Sequence, residues 1–129
     1  MRPVEEVKDE LVVQWLEKAD GDLAAAESLL STHLPHLWVI GFHAQQAVEK
    51  SLKTLLVHHQ IEFPKTHKLG ELFDLLAGAE PAIEESLREE TTLNIRDPTD
   101  LPELTWEQAA EAVRLAGKVR DAVRSRLKG

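Results

Sequence analysis

Apolar residues in this chain recur at intervals of three and four from end to end, and they never alternate with period two long enough to build a strand. Over residues 5–31 they fall at 11, 12, 15, 16, 19, 23, 26 and 30, which is one face of a helix. Gly21 interrupts that stretch and admits a bend. A second helix is predicted over 36–59, with Pro35 at its first position. Leu37, Ala44, Val48, Leu52 and Leu55 share its apolar face, and Gly41 falls on the same face. Thr66 is placed to cap a third helix through Leu69, Leu72, Phe73 and Leu76, with Gly78 as its stop. Pro81 opens a fourth through Ile83 and Leu87, and Thr105 with Gln108 forms a capping box for a fifth running to about Leu127. The prolines of residues 96–102 exclude a regular element there. Short connections between amphipathic helices predict an all-α, antiparallel up-and-down bundle of four to five helices. We expect one domain over residues 1–129, with residues 1–10 as an N-terminal extension of the first helix.

Composition narrows the chemistry. Lys and Arg number 15 against 23 Asp and Glu, a net charge of −8, which disfavours general DNA binding by repulsion from polyphosphate. With no Cys, disulfide scaffolds, thiolate metal sites and thiol nucleophiles are excluded. No Tyr is present, so tyrosine acid–base chemistry is absent, and three Phe with three Trp make a poor stacking platform for single strands. The charged N-terminus is unlike a signal segment and no apolar run spans a bilayer, so a cytoplasmic protein without membrane contact is expected.

Six His lie between residues 33 and 67. His36 and His43, at i, i+7, have a spacing that lets two rings on one helix reach one ion, His58 and His59 are adjacent and point apart, and neither His-Glu-x-x-His nor Glu-x-x-His occurs. We expect no metal site and no cofactor. No Gly-x-Ser-x-Gly turn or glycine-rich phosphate loop is present, so no catalytic residue is assigned. The Glu84, Glu85, Glu89 and Glu90 run is the pattern of a solvated helix face.

Residues 43–53 are the most informative. At 100° per residue, His43, Gln46, Lys50 and Lys53 form one polar band opposite the apolar face, with Glu49 at its border four residues before Lys53. Two ammonium groups, an amide and an imidazole suit a phosphate and a base edge. The same residues also suit an ordinary solvated face. The last helix is basic as well, with six Lys or Arg against three acids over 105–129. There Arg120 and Arg124 border the apolar stripe, where a stem can snorkel or pair with a carboxylate.

Taken in order, four groups of residues resemble the HEPN domain (higher eukaryotes and prokaryotes nucleotide-binding). They are Trp15-x3-Ala19-x2-Asp22-Leu23-x2-Ala26, Phe42-x2-Gln45-Gln46-x2-Glu49-Lys50-x2-Lys53, Thr66-His67-x-Leu69, and Arg96-x-Pro98. The resemblance implies a HEPN-like helical bundle, homodimers packed through helices, and a separately encoded minimal nucleotidyltransferase as partner. Ribonuclease and toxin members carry Arg, four to six residues, then His. Here no His follows His67, so Arg88, Arg96, Arg114 and Arg120 lack that partner. Asp97 stands where relatives often have Tyr, which removes the tyrosine that some toxin members present for modification. The resemblance therefore implies the non-catalytic, nucleotide-binding branch of a family related to toxin–antitoxin systems.

Three functions follow as expectations. In a binding module for a nucleotide or RNA end, Lys50 and Lys53 neutralise phosphate, with His43 and Gln46 beside them. Thr66 and His67 add an anion site at a helix start, and Arg96 closes over the ligand. In a toxin-like ribonuclease with a degenerate motif, His43 or His67 acts with Arg96. In a structural dimerisation or interaction protein, the polar band is only solvated surface.

Overall fold

The computed structural model describes residues 3–33, 35–95 and 104–128, and among them every regular element is a helix. They are α1 (Val4–Ser31), α2 (Leu37–His58), α3 (Leu69–Leu76), α4 (Pro81–Asn94) and α5 (Trp106–Lys128). This is the all-α, antiparallel bundle that the apolar spacing predicts. α2 packs on α1, α3 and α5, so both of its sides face protein. The antiparallel run of α1 and α2 is visible in their polar pairs: Asp22 meets His43 and Lys50, while Trp15, two turns earlier, meets Lys53. Ile40, Leu52, Leu55, Phe73, Leu115 and Val119 form the centre of the core and are fully buried.

Helix ends agree with the sequence in some places and depart from it in others. Thr105 and Gln108 make the expected reciprocal capping box, the Gln108 amide donating to the Thr105 hydroxyl (3.1 Å) and the Thr105 amide to the Gln108 side chain (2.9 Å). Pro81 occupies the first turn of α4. Gly21 leaves α1 uninterrupted. Pro35 lies outside α2, which starts at Leu37, and the third helix starts at Leu69 instead of Thr66. The Thr66 hydroxyl accepts the Lys68 amide (3.1 Å) in a local turn, which satisfies a donor without capping the helix. Residues 96–102, with Arg96, lie outside the described residues.

α2 ends in a Schellman motif: the Ile61 amide donates to the Leu56 carbonyl (2.8 Å) and the Gln60 amide to that of Val57 (3.0 Å). The motif puts Gln60 in the left-handed region, φ 57°, a conformation that glycine adopts without a Cβ clash. The turn directs residues 61–68 back along α2, and with them Phe63 and His67.

A second fastening joins three elements at the same end of the bundle. Glu80, only 3 % exposed, accepts from the His59 ring (2.7 Å) and the Arg126 guanidinium (2.6 Å). Burial pushes the Glu80 carboxyl up, but the hydrogen bonds from His59 and Arg126 outweigh it and hold the group below the ordinary carboxylate value.

Two outcomes are expected from this geometry. Gln60→Gly removes the left-handed strain and raises stability by up to about 1 kcal/mol, read from the midpoint of urea unfolding. A folded-state carboxyl held below its unfolded value contributes stability above the unfolded pKa, lost as pH falls through the folded one. Glu80→Gln is therefore destabilising at neutral pH, and its deficit shrinks below about pH 4.5 when urea unfolding is repeated across pH.

Candidate functional site

The polar residues of α2 are held by carboxylates, and the band is not the open cationic face of the helical projection. Asp22 on α1 takes the His43 Nδ1 on one oxygen (2.9 Å) and the Lys50 ammonium on the other (2.5 Å). One turn along, Glu49 repeats the arrangement. Its Oε1 meets His67 Nδ1 (2.8 Å) and its Oε2 meets the Lys53 ammonium (3.0 Å). Each carboxylate thus serves one imidazole and one ammonium.

Exposure separates the members. Glu49 and Lys53 are nearly buried, with side chains 5 % and 9 % exposed. The His67 ring is 64 % exposed and that of His43 is 29 %. Lys53 cannot be a solvated residue as the band suggests, because α1 and the segment after α2 roof it. Its ammonium lies 5.4 Å from the Phe63 ring centre and 5.7 Å from that of Trp15, and those rings meet edge to face. The i, i+4 spacing from Glu49 to Lys53 makes the expected intrahelical pair, but in a buried setting where each charge depends on the other.

Two glutamines complete the set. The Gln46 amide donates to Gln45 Oε1 (2.7 Å), and the Gln45 amide donates to the His67 carbonyl (2.9 Å) and to Glu49 (3.3 Å). Gln45 therefore pins the backbone of residue 67 while Glu49 pins its ring. His43, Gln46, Lys50, Lys53 and His67 come together on or beside one side of α2. Thr66 stands next to His67, but α3 begins beyond both, so neither lies in the first turn of a helix. Arg96 lies outside the described residues.

Asp22, Gln45, Trp15 and Phe63 are parts of this site that the polar band alone misses, since they sit on another helix, the opposite border, or the returning segment. The signal for three of them is the motif spacing, which contains Trp15, Asp22 and Gln45. Nothing in the sequence marks Phe63. Among the described residues no three His, Asp or Glu are grouped as metal ligands. The basic α5 side chains are largely consumed by acids: Arg120 by Asp20 and Asp121, Arg114 by Glu90 and Glu111, and Lys118 by Glu90.

Residues 12–126 match the pattern of the HEPN domain. The chain belongs to the HEPN domain family. A crystal structure described as that of an archaeal HEPN homologue is similar over 98 % of each chain, with a TM-score of 0.57 and 19 % identity, which places this HEPN domain in the same fold. No curated protein matches the chain in sequence. Among the described residues of this HEPN domain, no helix is long and apolar enough to cross a membrane.

Removing the buried carboxylate tests whether the site is structural as well as chemical. Glu49→Gln strands the Lys53 ammonium under Trp15 and Phe63 and is expected to cost roughly 3 kcal/mol in urea unfolding. Adding Lys53→Met to that variant restores much of the loss, since the pair is then gone together.

Proposed function

We propose that this HEPN domain is a non-catalytic binding module for a nucleotide or an RNA end. It works as a homodimer with a separately encoded, nucleotidyltransferase-type partner. The observation that carries the reading is the convergence of Lys50, Lys53, His43, Gln46 and His67 along one side of α2. Phosphate is received by the Lys50 ammonium and the outward imidazoles, with Lys53 as a buried charge behind them, and Gln46 offers an amide to a base edge. Phe42, 36 % exposed and edge to face with the His43 ring, presents a face on which a base can stack. Arg96 is assigned to close over the ligand, as the motif resemblance implies. Dimerisation draws on the first half of α1, which buries no side chain before Ala19 and exposes Val4, Val7 and Leu11 at 69, 40 and 41 %.

One observation favours a second reading, cleavage of RNA. Both His43 and His67 are oriented through Nδ1 by a carboxylate, the arrangement of a general acid or base whose outer nitrogen meets substrate. It predicts breakdown of RNA incubated with purified protein, whereas the binding module leaves RNA intact.

A thermal-shift series with ATP, GTP, AMP and a short RNA tests the first reading. A ligand at 100 times its dissociation constant stabilises the fold by about 2.7 kcal/mol, a rise of roughly 10 °C for a chain of this size. Lys50→Ala is expected to abolish the shift, whereas Lys53→Ala lowers the melting temperature of the free protein by leaving Glu49 without its ammonium partner. A stable dimer whose melting ignores every one of these ligands overturns the reading in favour of an interaction protein.

A further inference from the structure

A carboxylate only accepts hydrogen bonds, so Nδ1 is the protonated nitrogen of both His43, bonded to Asp22, and His67, bonded to Glu49. The neutral rings then carry their lone pairs at Nε2, and no described residue bonds to either Nε2. A further proton enters at Nε2 without disturbing the bond to the carboxylate.

The charge count gives this geometry a consequence. With both rings neutral, Asp22 cancels Lys50 and Glu49 cancels Lys53, so each cluster carries no net charge. An approaching phosphate meets the Lys50 ammonium, already paired with the Asp22 carboxylate, while the Lys53 ammonium lies buried against Glu49. Attraction and repulsion largely offset one another at this range. Each proton taken at Nε2 adds one positive charge and turns the outer nitrogen from acceptor to donor. Histidine is the side chain that changes charge between about pH 5 and 8.

We propose that the phosphate site on α2 is proton-coupled: the anion binds together with protons taken up at Nε2 of His43 and His67. The proposal rests on the phosphate-binding reading above and adds its regulation by pH. The charged groups in contact with the His43 ring are Asp22 from α1, with Lys50 from α2 on the same carboxylate. The His67 ring faces Glu49 from α2, with Lys53 on that carboxylate and Lys68 next in the chain. The phosphate adds negative charge on the open side and so draws the proton in.

ATP is a sharp probe because its terminal phosphate grows more negative as pH rises from 5.5 to 8.0. Attraction to fixed lysines alone therefore tightens binding over that range. Proton coupling weakens it. Calorimetric titration of ATP into the full chain, in chelator-treated buffer without divalent metal, is expected to show the dissociation constant rising about tenfold or more. His43→Gln and His67→Gln each flatten that dependence. If either variant fails to fold, proton uptake by the unaltered chain decides, measured from binding enthalpies in two buffers of different ionisation enthalpy. Zero uptake overturns the proposal. A constant or falling dissociation constant that Lys50→Ala still abolishes also overturns the coupling and leaves the phosphate-binding reading standing. No ATP binding at pH 5.5, or binding that ignores Lys50→Ala, removes the underlying reading as well.

Discussion

α2 is packed against α1, α3 and α5, and every polar group it carries in that cover has to be satisfied by another side chain or by backbone, because an unpaired charge there costs several kcal/mol. Glu49 is the centre of this requirement. It neutralises Lys53, orients His67 and accepts from Gln45, so it ties one turn of α2 to the segment that leads into α3. Asp22 plays the matching part between α1 and α2. The candidate site is thus also a fastening of the fold.

That double role shapes what the site can do. Cations held this firmly are preorganised, with little rotamer freedom left to lose when a ligand arrives. They are also compensated, so the surface does not attract polyanions in general, in keeping with the net charge of −8. On the proposed reading, selectivity depends on the outward-facing Nε2 atoms of His43 and His67. The Glu80 clasp at the C-terminal ends of α2 and α5 has similar components, a His, an acid and a cation, and like Glu49 its carboxylate is the most buried member, but it joins three elements. Similar parts therefore fasten the fold in both places, and in one of them they also line the candidate binding surface.

Much of the fold was legible because helical periodicity is a local property. The bounds of α1 and α5, the proline start of α4 and the capping box at Thr105 and Gln108 each need only neighbouring residues to specify them. The departures have equally local causes. Thr66 caps a turn two residues before α3, and Gln60 fills a left-handed position that no glycine announces. Within the site, His43, Gln46, Lys50 and Lys53 were legible as one band, and motif spacing pointed to Trp15, Asp22, Gln45, Glu49 and His67. Phe63 was not legible, since its place depends on where the chain turns after α2.

The sequence by itself determined an all-helical bundle, the family to which it belongs, and the side of α2 on which polar side chains collect. Periodicity and motif order are written along the chain and survive without tertiary context. Only the tertiary structure decided that the band is divided into two charge-neutral clusters, that Lys53 is buried under two rings, and that each imidazole turns Nδ1 inward. Those properties depend on which helix lies across α2 and on how the chain returns after Ile61. Burial and pairing arise between segments far apart in sequence, where one-dimensional spacing carries no information on distance.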